Sequence, residues 1–99
     1  MKKTVLFAVL IGAVLNAADG AALYKKCAAC HGASGEKKAL GKSEIINTMS
    51  KEELVASLKE YKAGTRNTKG MGALMKGQVA SYSEADITAV SEYISSIKQ

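Results

Sequence analysis

The chain is poor in the residues that build a large apolar core. Of 99 residues none is tryptophan, one is phenylalanine and four are tyrosine. Phe7 also lies in an N-terminal segment that reads as removable, so the four tyrosines are the aromatics of the mature chain. A chain of about 80 residues with so little large side-chain volume buries too little to offset its entropy, and domains of that size usually need a staple. A membrane-spanning run is also missing, since a helical span takes ~20 apolar residues. The one sustained apolar stretch, Val5 to Leu15, follows Lys2 and Lys3 and leads into Asn16-Ala17-Ala18. That is the pattern of a cleaved secretory signal. Cleavage after Ala17, or one residue later after Ala18, leaves a single domain of residues 18–99 with no membrane anchor, exported to the periplasm. A concentrated charge is absent as well. Without Lys2 and Lys3, 12 of the 14 basic residues remain against 9 acidic ones, a formal +3, and no aromatics alternate with the lysines to stack bases. Nucleic acid is therefore not an expected partner.

No two-residue alternation and no internal repeat occurs, and the periodicity that exists is helical. Asp19 is an N-cap for a short helix from Gly20 to about Cys27. From Gly32 to Thr48 the pattern dissolves into an irregular loop with one turn near Ala39. Ser50-Lys51-Glu52-Glu53 is a capping box that opens a helix with Leu54, Val55, Leu58 and Tyr61 on one face, and Gly64 ends it. Thr65 to Gly72 reads as a polar loop, and Ala73 to Val79 as a short helical turn weakened by Gly77. Ser83-Glu84-Ala85-Asp86 starts the last helix. Its apolar stripe is Ile87, Val90, Ile94 and Ile97, and Lys98 sits at the negative end of its dipole. The expected class is all-α, three to four helices with long loops.

Every cysteine and the only histidine fall within five consecutive positions, Cys27-Ala28-Ala29-Cys30-His31. This is C-x-x-C-H, the attachment sequence for c-type haem. On a helical turn Cys27 and Cys30 face one side, so each thiol can reach one vinyl group of a single porphyrin. His31, four residues from Cys27, then projects its imidazole toward the iron. A structural zinc needs four ligands where this chain offers three. A thioredoxin-like pair needs a strand before the first cysteine. A plain disulfide is chemically allowed after export but leaves both the adjacent histidine and the missing core volume unexplained. One covalently attached haem c accounts for both, because the porphyrin is itself a large apolar body.

With these residues in view, the chain resembles the small monohaem class I cytochromes c, and most of all the bacterial cytochrome c-553 group. The likeness covers nearly all of residues 18–99 and runs through "ADGAALYKKC", "CHGASG", "EEL" with "YKAG" after it, and "YSEADITAVSEYI". It implies a class I cytochrome c fold in which the N-terminal helix crosses the C-terminal one, here with Gly20 and Tyr24 against Tyr93. It also implies a proline after the haem motif whose carbonyl accepts the proximal histidine's N–H. This chain has no proline and carries Ile45 about where one is expected, so another backbone carbonyl must take that bond.

His31 is committed to iron and the cysteines to vinyl groups, which leaves no histidine or thiol for catalysis. With methionine as sixth ligand both axial positions are filled, and the expected role is a one-electron carrier rather than an enzyme. Relatives serve dehydrogenases, hydrogenases or terminal oxidases, and the chain is expected to be monomeric. The rival class is a five-coordinate haem protein binding small gases or peroxide. A third reading is an exported thiol protein without haem. After signal removal the methionines are Met49, Met71 and Met75. Met49 stands too close to a helix start and reads as a gap-filler. Met71 and Met75 are four apart and face one way on a helical turn. Met71 lies between Gly70 and Gly72, whereas Leu74 and Val79 could pack to steady Met75. The resemblance favours Met75, since the family's ligand lies a short distance before the Tyr-Ser pair and Met75 is eight residues before Ser83. Lys25, Lys26, Lys37, Lys38, Lys69 and Lys76 flank the segments around the haem and would steer acidic redox partners into brief, salt-sensitive encounters.

Overall fold

Capping decides where most of the helices begin. In the computed structural model, which describes residues 18–97, Asp19 Oδ1 accepts the amides of Ala21 and Ala22 at 3.1 and 3.3 Å. Helix α1 then runs over Gly20–His31. It extends four residues past the end expected at about Cys27, because the Ala-rich motif contains no breaker. It stops at Gly32, whose φ of 89° only glycine adopts readily. The signal segment and Lys98 lie outside the described residues.

Helix α2, Lys51–Ala63, opens on the expected box: Ser50 Oγ accepts from the Glu53 amide at 3.1 Å, and Glu53 Oε1 from the Ser50 amide at 2.9 Å. It ends at Gly64, left-handed at φ 84°. Helix α3, Gly72–Val79, has no cap from Met71. Asn67 replaces it from five residues upstream, its Oδ1 accepting the Gly72 amide at 2.8 Å. Helix α4, Glu84–Ser96, starts on a second reciprocal box between Ser83 and Asp86. Among the described residues these four helices are joined by loops, with no strand.

The loops contain more structure than their sequence suggests. The stretch after α1 holds two 3₁₀ turns, Ala39–Gly41 and Ile46–Thr48, where one was expected. The second is clamped to the first glycine turn: Asn47 is buried, its amide bonding Gly35 O at 3.1 Å and its Nδ2 bonding Ser34 O at 2.9 Å. Leu40 (φ 54°) and Lys69 (φ 56°) each precede a left-handed glycine, Gly41 and Gly70. The Lys42 amide reaches Ala39 O at 2.9 Å and the Met71 amide reaches Thr68 O at 3.0 Å. Both segments are therefore turns with two consecutive left-handed residues, geometry usually assigned to Asn-Gly.

Helix α4 is the hub, packing on α1 and on α2, while α3 packs on α2. Tyr24, Leu54, Val79, Tyr82, Ile87, Val90 and Ile94 form the buried cluster. Ile97, placed in the α4 stripe by its spacing, stands just past the helix end and is half-buried. The α1–α4 crossing is as close as expected. A Cβ on Gly20 would meet the Ala89 carbonyl and lie 2.8 Å from Tyr93 Cβ, and the Tyr24 and Tyr93 rings are 5.6 Å apart. Because the obstacle includes backbone, Gly20→Ala should force the helices apart. The expected loss is about 1–3 kcal/mol, readable as a lowered midpoint in denaturant titration, and an unchanged midpoint would show that the crossing can yield.

Candidate functional site

The helices and loops enclose a mostly apolar cavity of about 250 Å³. Cys27, Cys30 and His31, from the last turn and a half of α1, form part of its wall. Met71 and Met75 reach it from the start of α3, and Met49 from the turn before α2. The sequence-derived residues are thus brought together on one cavity. Among the described residues no group of three or more His, Cys, Asp or Glu is arranged to hold a metal ion.

His31 is 6% exposed, and burial holds its imidazole below the usual histidine range, which favours the neutral form that can ligate a metal. Its Nδ1 is buried without a hydrogen-bond partner. No backbone carbonyl takes the bond expected there, that of Ile45 included. Ile45 O is already engaged by the Thr48 amide at 3.1 Å and Thr48 Oγ1 at 2.7 Å. The main chain at and just beyond His31 is fixed by two other bonds. The Tyr24 hydroxyl donates to Gly32 O, and the Lys37 amide to His31 O at 2.9 Å. Burial pushes the Tyr24 phenol up to about 12, with Cys27 adding to the effect, so it stays a donor at neutral pH.

Tyr82 is a site residue that sequence reasoning used only as a spacing marker. It is buried on the cavity wall, its hydroxyl donating to Leu23 O at 2.6 Å, four residues before Cys27. Lys26 Nζ lies 4.6 Å from its ring centroid, and Lys62 Nζ donates to its carbonyl. Tyr82 thereby ties the segment before α4 to the helix carrying the cysteines. The Tyr-Ser pair at the head of α4 was the available signal, but nothing local says where its hydroxyl goes.

The two methionines differ from the sequence expectation in their surroundings. Met71, placed in a loose glycine stretch, is 6% exposed and held by its amide bond to Thr68 O. A Cβ on the adjoining Gly72 would lie 2.8 Å from Asn67 Oδ1, so the segment is pinned. Met75 is half-buried and packs on the core cluster. Val79 is buried as expected, but Leu74 is 43% exposed at the cavity rim and does not steady Met75 from the core. Both thioethers line the cavity.

The donor set fits a haem: two thiols three residues apart, one neutral imidazole, soft thioethers on another wall, and apolar lining between. Comparison with known proteins agrees. The protein-family model described as Cytochrome c matches residues 17–98. The chain is similar to the cytochrome c-553 of two Helicobacter pylori strains. It is 44% identical to one over 84 residues, covering 85% of this chain and 83% of that protein. It is 45% identical to the other over 85 residues, covering 86% and 84%. It is 40% identical over 81 residues to the cytochrome c-553 of Nitratidesulfovibrio vulgaris, covering 82% of this chain and 78% of that one.

Proposed function

The chain belongs to the cytochrome c family, and from that premise we propose that it is a periplasmic one-electron carrier whose iron is held between His31 and Met75. As a c-type cytochrome it carries electrons between redox partners, and its cofactor is a covalently bound haem c with its iron. The haem supplies the one-electron couple; everything else falls to the chain. Cys27 and Cys30 would hold it by two thioethers, and His31, at the buried end of α1, would ligate the iron. Apolar walls around the cavity lower the local dielectric, so that the ligand and charge environment acts strongly on the iron. Held by both His31 and Met75, the iron would keep no position open for substrate, as a carrier requires.

The observation that carries this reading is the convergence of Cys27, Cys30 and His31 with a methionine pair on one apolar cavity. Among the described residues no helix is long and apolar enough to cross a membrane. Lys37, Lys38, Lys69 and Lys76 are exposed, as steering of acidic partners requires. Lys76 has a second duty, since its Nζ lies 3.2 Å from where a Gly64 Cβ would stand, at the negative end of the α2 dipole. The test is the spectrum of the oxidised protein. Low-spin haem with the weak near-infrared methionine-to-iron band is expected. High-spin haem would replace the carrier by the five-coordinate alternative.

A further inference from the structure

Three buried side-chain polar atoms have no hydrogen-bond partner among the described residues: His31 Nδ1, Arg66 Nε and Ser91 Oγ. His31 belongs to the haem-attachment motif already described, and its open Nδ1–H is the bond for which the loop offers no carbonyl. Ser91 lies in the core of α4, away from the cavity lining. Arg66 is different, because it lines the cavity without being a ligand, an attachment point or part of the apolar core.

Its guanidinium is held on two sides. Nη1 pairs with Glu60 Oε1 at 2.9 Å, and the guanidinium carbon lies 5.6 Å from the Tyr61 ring centroid. The side chain is 31% exposed, so the group stands between solvent and cavity rather than deep in either. Nε nevertheless has no acceptor. Leaving such a donor unmade is unfavourable, and a ligand that brought an acceptor would recover that loss. The cavity's ligand has suitable acceptors. A haem carries its two propionates on a different edge from its vinyl groups, and a carboxylate at a mostly apolar wall needs a paired cation. Among the described residues only Lys26 and Arg66 supply a permanent cation to this wall. Lys26 adjoins Cys27 and sits over the Tyr82 ring, at the thioether end. Arg66 is the remaining cation, and the planar guanidinium is the better match to a carboxylate.

We propose that Arg66, steadied by Glu60 and Tyr61, anchors a haem propionate through its free Nε–H, and that Glu60 competes with the propionate for the guanidinium. The proposal rests on the haem reading and adds a positioning residue to it. It also gives the loop between α2 and α3 a function. Arg66 stands in the segment that leads directly to Met71 and Met75, so an occupied anchor would tie that segment to the haem.

The test is the midpoint potential of the haem-loaded protein as a function of pH, for Arg66→Gln, Arg66→Lys and Glu60→Gln. Loss of the cation favours oxidised iron, so Arg66→Gln should lower the potential by several-fold in the redox equilibrium constant. Its redox-linked ionisation should move to higher pH, because the propionate loses the charge that kept it ionised. Glu60→Gln removes the competitor and should shift both quantities the other way. Arg66→Lys should retain part of each. The groups that share this environment are Glu60 and Tyr61 on α2, with Glu44, Lys26, Tyr82 and His31 elsewhere on the wall. An Arg66 that merely braced α2 would change the melting temperature without moving the pH profile, and that outcome overturns the assignment. If Arg66→Gln does not accumulate as haem-loaded protein, Glu60→Gln decides by the same two quantities. A parent protein lacking covalent haem would instead overturn the reading on which the assignment rests.

Discussion

Replacing both Cys27 and Cys30 by alanine is expected to leave a chain that is largely unfolded at room temperature and shows no cooperative thermal transition by far-ultraviolet circular dichroism. The reason is the size of the cavity the folded chain encloses. At about 24 cal/mol per Å³ of void, the 250 Å³ space corresponds to about 6 kcal/mol if nothing fills it. Stability for a chain of this length is roughly 4–12 kcal/mol on the usual per-residue scale, so emptying the cavity removes much or all of it. The buried cluster cannot compensate, because Leu54, Val79, Tyr82, Val90 and Ile94 are both core and cavity wall. Collapse onto the void would have to move α1, α2 and α4 together. The local devices, three capped helices and the clamped turns, survive the substitution but do not by themselves sustain a fold. A cooperative melt of the haem-free variant near the parent's temperature would contradict this and show that the polypeptide supplies its own core.

Met75→Ala is expected to abolish the near-infrared methionine-to-iron band and to lower the midpoint potential by more than tenfold in the redox equilibrium constant, about 59 mV or more for one electron. Met71→Ala should leave the band in place. Its effect should instead be on stability, because Met71 is almost fully buried and its truncation opens a void worth about 2–5 kcal/mol. The pair is informative because the structure removes one reason for preferring Met75. The segment around Met71 is held by the Thr68 carbonyl and the Asn67 side chain, so flexibility does not disfavour it. What continues to support Met75 is its distance from Ser83 and its place on the face of α3 that packs against the core cluster. Loss of the band in Met71→Ala with retention in Met75→Ala would move the ligand to Met71.

Much of this molecule is legible without coordinates because the interactions responsible are short in sequence. The caps at Asp19, Ser50 and Ser83 act over two or three residues, and the left-handed stop at Gly64 acts over four. The Cys27-Cys30-His31 spacing is a property of one helical turn. Gly20 meets Tyr93 across the α1–α4 crossing, and that contact was foreseen only through family likeness, since nothing in the residues themselves says which helices cross.

The rest depends on partners far apart in the chain. The left-handed turns at Leu40 and Lys69 are the exception: they are closed locally, by the Lys42 and Met71 amides, against the ordinary preference of both side chains. Tyr82 reaches back 59 residues to Leu23, and Asn47 reaches 13 to Ser34. Arg66 becomes a candidate anchor only when α2 and the following loop fold onto the cavity and leave Nε without an acceptor. Residue type at short spacing is enough to set the helices, the covalent attachment motif and the shortage of core that makes a cofactor necessary. The shape of the cavity, and the placing of Met71, Met75 and Arg66 on its wall, are set by tertiary packing, although Met71 and Arg66 are also held by partners within six residues. They depend on which surfaces α1 and α2 bury against α4 and α3 against α2, and on which polar atoms that burial leaves unmatched.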